Sequence, residues 1–127
     1  MDNMIEMTIK RIVNIPHDFH EIKTKSPIAL LNESGYLELY DKIKEEHIIE
    51  VLKMKPHLIK EWLRWSDNKR SSPSWYFTRG EDGKCFVGHS PESKEFEEIN
   101  TSDEFYACAA FIKREAERIR MLPRAQE

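Results

Sequence analysis

The sequence is poor in glycine, and this scarcity excludes the familiar glycine-rich phosphate loops. Only four glycines occur among 127 residues, and no glycine-rich turn stands before a predicted helix. No apolar run approaches the roughly 20 residues that a membrane-spanning helix requires. The first residues also lack a basic start followed by an apolar core, so we expect no signal peptide. These absences predict a soluble protein with no membrane partner.

Cysteine is equally scarce, since Cys85 and Cys108 are the only two in the chain. Their spacing fits no metal or redox motif. Either thiol could be imagined in a dyad with a histidine, but both lie in apolar stretches, which is typical of core cysteines. We therefore expect two reduced core thiols, a cytoplasmic location, no metal and no cofactor.

Positive charge is not in excess, because 20 lysines and arginines face 23 aspartates and glutamates. A nucleic-acid-binding protein usually shows a basic excess or a basic stripe, so we expect no direct nucleic-acid partner. Hydrophobic residues make up 39% and charged residues 34%, which is typical of a folded domain with a charged surface. A chain of this length has room for one core, and we predict a single domain over residues 1–127.

The N-terminal segment admits two interpretations. Asp2 can cap a helix that ends before Pro16, because the residue before a proline avoids the helical region. Ile5, Met7 and Ile9 also match the alternation of a strand, but that alternation fails sooner than the helical pattern. We predict a helix here.

Two histidines three residues apart follow this segment. His17 and His20 enclose Asp18, and such a group could begin a metal site. A metal site normally needs three ligands, however, and the other histidines are scattered. We interpret both as solvated loop residues.

Three further helices are predicted to begin in the first half of the sequence. Ser26 and Pro27 begin the first, and Gly35 ends or kinks it, because glycine enters the left-handed conformation without strain. Glu45 and Glu46 open the second, where carboxylates meet the positive end of the helix dipole. The third helix follows a proline and carries one apolar face, formed by Leu58, Ile59, Trp62, Leu63 and Trp65.

An aromatic stretch over residues 62–77 holds all three tryptophans. It begins on a helix, breaks at a serine–serine–proline sequence and resumes as a strand. A turn at 80–83 and an apolar return over 84–88 predict a hairpin, and 96–99 is suited to a third strand. The pattern assigns four aromatic side chains to the core, namely Trp62, Trp65, Trp75 and Phe77.

The last helix is the longest predicted. Thr101 and Glu104 have the spacing of a capping box, with the hydroxyl at the cap. An apolar stripe runs from Phe105 to Ile119, and Pro123 ends it. The fold class predicted is α+β: a mostly helical single domain of four or five helices, with a small antiparallel β-sheet and a long C-terminal helix.

No catalytic motif is recognisable in the chain. Adjacent carboxylates such as Glu97 and Glu98 point in different directions and do not form a catalytic pair. The richest polar run contains Asp67, Lys69 and Arg70. These residues could hold an anion in a small ligand-binding or enzyme-like domain, whereas the plainer interpretation is a local ion pair between Asp67 and Arg70 at a helix end.

Acidic residues are clustered along the chain. A charge run is usually a solvated face, but it can also be a docking surface for a basic partner such as a nuclease domain. We expect the partner-binding residues among two groups, Glu92, Glu95, Glu97 and Glu98 in one and Glu45, Glu46 and Glu50 in the other.

A longer motif carries a resemblance. The block is Trp62-x-x-Trp65-Ser66-x-x-Lys69-Arg70-x-x-Pro73-x-Trp75-Tyr76-Phe77, followed downstream by Ala109-Ala110-Phe111-Ile112-Lys113-Arg114-Glu115. It resembles a small bacterial family over residues 26–119. Small acidic proteins of this kind are similar to immunity proteins of contact-dependent growth inhibition and other polymorphic toxin systems. The resemblance implies a protein that is not an enzyme and that binds and blocks one cognate toxin domain, often a nuclease.

Overall fold

Helices dominate the architecture, and a small sheet covers one side of the last helix. The computed structural model describes residues 2–68, 74–90 and 97–122. Within these ranges the α+β fold has seven helices and three strands. In chain order they are α1 (Asn3–Val13), α2 (Ile15–Glu21), α3 (Pro27–Ser34), α4 (Tyr36–Leu39), α5 (Glu45–Met54), α6 (Leu58–Asn68), β1 (Ser74–Arg79), β2 (Cys85–Ser90), β3 (Ile99–Thr101) and α7 (Glu104–Arg120).

The three strands form one antiparallel sheet in the order β1-β2-β3. Phe77 of β1 pairs with Val87 of β2, and Val87 pairs in turn with Ile99 of β3. Helix α7 packs against all three strands and also against α3, α5 and α6. It therefore lies between the sheet and the helical layer, where it contributes to one shared core.

The side chains of α7 show why this helix can occupy the middle of the fold. Ala107, Cys108 and Phe111 are fully buried. Phe111 contacts Trp62 at 6.0 Å and Phe77 at 5.8 Å between ring centroids. Small residues let neighbouring elements approach the helix axis closely, and each buried aromatic ring contributes about 1.5–3 kcal/mol to folding.

Most predicted helix ends are confirmed because their signals are local. Asp2 accepts the Met4 N–H at 2.7 Å, and Ser26 Oγ accepts the Ala29 N–H at 3.1 Å. Gly35 has φ +96° and separates α3 from α4. These three residues act where the sequence patterns place them.

Two predictions about the helices were wrong. The described residues form seven helices instead of four or five, because α2 occupies a segment expected to be a loop and Gly35 separates α3 from α4. His17 and His20 belong to α2 instead of a loop. Pro16 lies in the first turn of α2, where its missing N–H costs no hydrogen bond. The burial of Ile15 and Pro16 against the core holds this helix in place.

The cap of α7 was also assigned wrongly. Asp103 is the N-cap residue, and its carboxylate accepts the N–H groups of Phe105 and Tyr106, both at 3.1 Å. Thr101 instead ends β3, where it pairs with Cys85. The third strand thus runs later than the predicted 96–99, and Phe96 lies outside the described residues.

The four aromatic residues assigned to the core divide into two classes. Trp62 and Phe77 are buried, as predicted, and Trp62 Nε1 donates to Val13 O at 2.9 Å. Trp65 and Trp75 are half-buried and pack against the core.

The two cysteines are buried and form no disulfide, as expected. Burial raises the pKa of both the Cys85 and Cys108 thiols, which keeps them protonated.

Candidate functional site

An open cleft of about 730 Å³ lies between α5 and α7. Tyr40, Ile43 and Ile49 form one wall, and Tyr106 stands on the α7 side. Tyr40 and Tyr106 are each 37% exposed, so part of each residue is accessible from solvent. The cleft therefore combines aromatic and aliphatic surface.

The turn between α4 and α5 brings the acidic residues to this cleft. Ile43 is buried and anchors the turn in the core. The Lys44 N–H donates to His47 Nδ1 at 3.1 Å, which stabilises the start of α5. Glu45 and Glu46 occupy the first turn of α5 and both line the cleft.

A hydrogen-bonded cluster lies beside the cleft, and two of its members, Lys113 and Glu117, line it. The Tyr36 hydroxyl donates to Glu117 Oε2 at 2.5 Å and accepts from Lys113 Nζ at 2.8 Å. Lys113 Nζ also donates to Tyr40 O at 2.7 Å. Arg120 pairs with Glu117 through two bonds of 2.9 Å. We call these four residues, Tyr36, Lys113, Glu117 and Arg120, the floor cluster.

Protonation in the floor cluster follows from burial and pairing. Burial raises the pKa of Tyr36, and its hydrogen bond to Glu117 raises it further. Burial lowers the pKa of Lys113, although Glu117 partly opposes this shift. Burial also penalises the Glu117 carboxylate, but hydrogen bonds from Arg120 and Tyr36 lower its pKa below the usual range. At neutral pH the Glu117 charge is thus matched inside the protein.

The carboxylates at the rim are not matched in this way. Asp41, Glu45 and Glu46 form no ion pair with any residue in the described ranges. Lys44 lies at the same rim, so three carboxylates stand against one rim ammonium. The lining of the cleft therefore carries an excess of negative charge, because the four carboxylates of Asp41, Glu45, Glu46 and Glu117 face the two ammonium groups of Lys44 and Lys113.

The predicted acidic groups differ in what the fold does with them. Glu45 and Glu46 line the cleft, while Glu50 is exposed one turn further along α5. In the other group, Glu97 and Glu98 are both exposed beside β3. Glu98 accepts a hydrogen bond from the Tyr76 hydroxyl. The remaining two members of that group, Glu92 and Glu95, lie outside the described residues.

Of the three residues of the alternative anion site, one lies within the described ranges. Asp67 is exposed near the end of α6, whereas Lys69 and Arg70 lie outside the described residues. The predicted ion pair between Asp67 and Arg70 therefore stays a prediction.

Arg114 is the neighbour of Lys113 on α7 but points towards the sheet. Its guanidinium stacks on Trp75, with 4.7 Å from Cζ to the ring centroid. Its Nη1 is buried and has no hydrogen-bond partner in the structure as described. A buried donor of this kind carries an uncompensated desolvation cost.

Neither a metal-binding group nor a membrane-spanning helix occurs among the described residues. Among residues 2–68, 74–90 and 97–122, no three His, Cys, Asp or Glu side chains are grouped so that they could hold a metal ion. Over the same ranges no helix is both long and apolar enough to cross a membrane.

Sequence reasoning missed the aromatic and floor residues of the cleft. Lys113 and Glu117 are four residues apart on a predicted helix, and this spacing could have placed them on one face. Tyr36 and Tyr106 come from distant segments, and no local pattern joins them to Glu45.

Comparisons of the chain with protein-family models, with curated proteins and with solved structures found no match. The class that the fold and the cleft define is therefore an α+β domain with an acidic, tyrosine-lined cleft.

Proposed function

We propose that this protein is an immunity-type protein that binds and neutralises a cognate bacterial toxin domain by masking its basic active cleft. The observation that carries the proposal is the open cleft lined by the carboxylates of Asp41, Glu45 and Glu46, which form no ion pair with another described residue. A toxin that acts on nucleic acid must attract phosphates, so its active cleft is basic. The two surfaces are complementary in charge.

The composition of the cleft also supports a protein partner. Aromatic residues, tyrosine among them, are enriched at protein interfaces and supply a large contact area at low cost in side-chain entropy. Tyr40 and Tyr106 are both partly exposed beside the carboxylates. An interface centred here would combine rapid, charge-guided association with aromatic contacts that slow dissociation.

The test is calorimetric binding to the C-terminal domain of a large secreted protein encoded immediately upstream in the same operon. We expect nanomolar binding that weakens as salt rises, together with loss of that domain's toxicity. Toxicity that persists with the protein present, or no binding, would refute the proposal.

Charge reversal locates the binding surface. Glu45→Lys combined with Glu46→Lys should slow association by about tenfold or more at low salt. The matched control is Glu21→Lys with Glu81→Lys, which changes the net charge equally at exposed positions that do not line the cleft. A third variant, Glu97→Lys, tests the other acidic group. If Glu97→Lys slows association and the cleft pair does not, the toxin docks on that group instead.

A further inference from the structure

We infer, resting on the proposed function, that the cleft between α5 and α7 receives an arginine side chain of the partner, whose guanidinium stacks on Tyr106 and pairs with Glu45 and Glu46. This assigns the cleft to a guanidinium in preference to an ammonium. An aromatic platform, an aliphatic wall and two carboxylates of the cleft lining support a guanidinium there.

The aromatic platform is Tyr106, in the first turn of α7. The Asp103 carboxylate accepts its backbone N–H at 3.1 Å, which fixes the start of the helix that carries it. Its side chain is 37% exposed, and its hydroxyl forms no hydrogen bond with another described residue. A planar guanidinium stacks on such a ring more effectively than a strongly hydrated ammonium does.

The other tyrosine of the cleft already holds a guanidinium inside the protein. Arg120 Cζ lies 3.8 Å from the ring centroid of Tyr40, so one face of Tyr40 holds a guanidinium from α7. Tyr106 offers the equivalent surface without an internal arginine on it within the described ranges. An incoming arginine would therefore form a second stack, on Tyr106.

The wall and the rim match the rest of an arginine side chain. Ile49 is half-buried and lines the cleft, and such surface accommodates the methylene stem of a long cationic side chain. Glu45 and Glu46 supply carboxylates, and a guanidinium can bind a carboxylate through two parallel hydrogen bonds. Lys113 also attracts Glu45 electrostatically, but its Nζ donates its hydrogen bonds to the Tyr36 hydroxyl and Tyr40 O. It forms no ion pair with Glu45 or Glu46 within the described ranges.

Three capped tripeptides test this inference without any toxin. Acetyl-Gly-Arg-Gly-amide, its lysine analogue and its citrulline analogue are titrated into the whole protein, and backbone NMR shifts are followed. We expect millimolar binding of the arginine peptide, with shifts at Tyr106 and Glu45. The lysine peptide should bind about fivefold more weakly, and the uncharged citrulline peptide should not bind measurably.

Two variants separate the stack from the charge. Tyr106→Leu should equalise the arginine and lysine affinities, since it removes the ring but leaves the carboxylates. Glu45→Gln with Glu46→Gln should weaken both peptides together, and Glu21→Gln with Glu81→Gln should change neither. Equal binding of arginine and lysine to the unaltered protein, no binding of either peptide, or shifts confined to another face, would overturn the inference.

The peptide titration and the toxin experiment test the guanidinium site and the immunity function separately, so either hypothesis can fail without the other. Arginine-selective binding in the cleft with no neutralised toxin would refute the immunity function and keep the guanidinium site. Neutralisation of a toxin by a protein that shows no arginine preference would keep the function and overturn the guanidinium site.

Discussion

The Tyr36 hydroxyl donates a hydrogen bond of 2.5 Å to Glu117 Oε2, across 81 residues of sequence. This contact ties α4 to the last helix beside the candidate cleft. Tyr36 itself is only 1% exposed, so the donor end of this hydrogen bond is shielded from water. The position of the α4–α5 turn, and hence of Glu45, depends on this shared anchor.

Tyr36→Phe should lower the free energy of unfolding by about 1–3 kcal/mol, because it removes a donor from Glu117 and an acceptor from Lys113. Urea denaturation followed by circular dichroism measures the loss. Tyr40→Phe is the matched control, since the Tyr40 hydroxyl bonds no other described residue and its stack on Arg120 is kept. We expect a change within about 0.5 kcal/mol for the control; equal losses would refute the role of the Tyr36 hydroxyl.

Acid should destabilise the fold partly through Glu117. Its pKa in the folded protein lies below the ordinary value of 4.5, so the unfolded chain binds a proton first. The stabilisation is complete above pH 4.5 and is lost as the pH falls through the folded-state pKa. Glu117→Gln should be less stable at pH 7 and should show a shallower loss between pH 5 and 2. Parallel curves for both proteins, measured by urea denaturation at each pH, would contradict this.

Gly88 is required because Tyr76 lies across it in the neighbouring strand. The two residues pair between β1 and β2, and a Cβ on Gly88 would lie 2.9 Å from Tyr76 Cε2 and closer still to its hydroxyl. The φ angle of Gly88 is not positive, so the effect of a substitution is steric. Gly88→Ala should cost about 1–3 kcal/mol.

A double-mutant cycle isolates this contact. In a Tyr76→Ala background the ring is gone, and Gly88→Ala should then cost less than about 0.5 kcal/mol. The same cost in both backgrounds would show that the ring is not the obstacle. Thermal denaturation of the four proteins gives the coupling.

Two arginines four residues apart on α7 should respond oppositely to the same substitution. Arg114→Met removes a buried Nη1 that has no partner among the described residues and keeps an unbranched stem on Trp75. It should raise the free energy of unfolding by about 1 kcal/mol. Arg118→Met removes the 3.2 Å partner of the buried Glu115 and should lower it by about 1–3 kcal/mol. A loss at both positions would contradict the assignment of Arg114.

The sequence was informative wherever a few neighbouring residues decide the structure. Asp2, Ser26 and Gly35 each act on backbone groups within three or four residues, so their roles could be predicted. Thr101 and Asp103 are both good caps, and the choice between them depends on the pairing of Thr101 with Cys85. That pairing joins different segments of the chain, and no local pattern contains it.

The residues of the candidate cleft also divide into those that local sequence predicts and those that only the packing of distant segments brings together. Glu45 and Glu46 could be selected from the sequence because acids at a helix start are conspicuous. Tyr106 and Lys113 join them only because α7 packs against α5. Apolar periodicity predicts that a helix has a buried face but not which helix covers it, so the aromatic half of the cleft had to come from the structure.

The central place of α7 has a consequence for how the chain matures in the cell. Its residues leave the ribosome after those of the sheet and of α1 to α6, yet they supply contacts to both layers. Until then Phe77 and Trp62 lack the ring of Phe111 that covers them. Nascent chains halted before α7 therefore expose apolar surface that α7 covers in the complete fold, and chaperones recognise such surface.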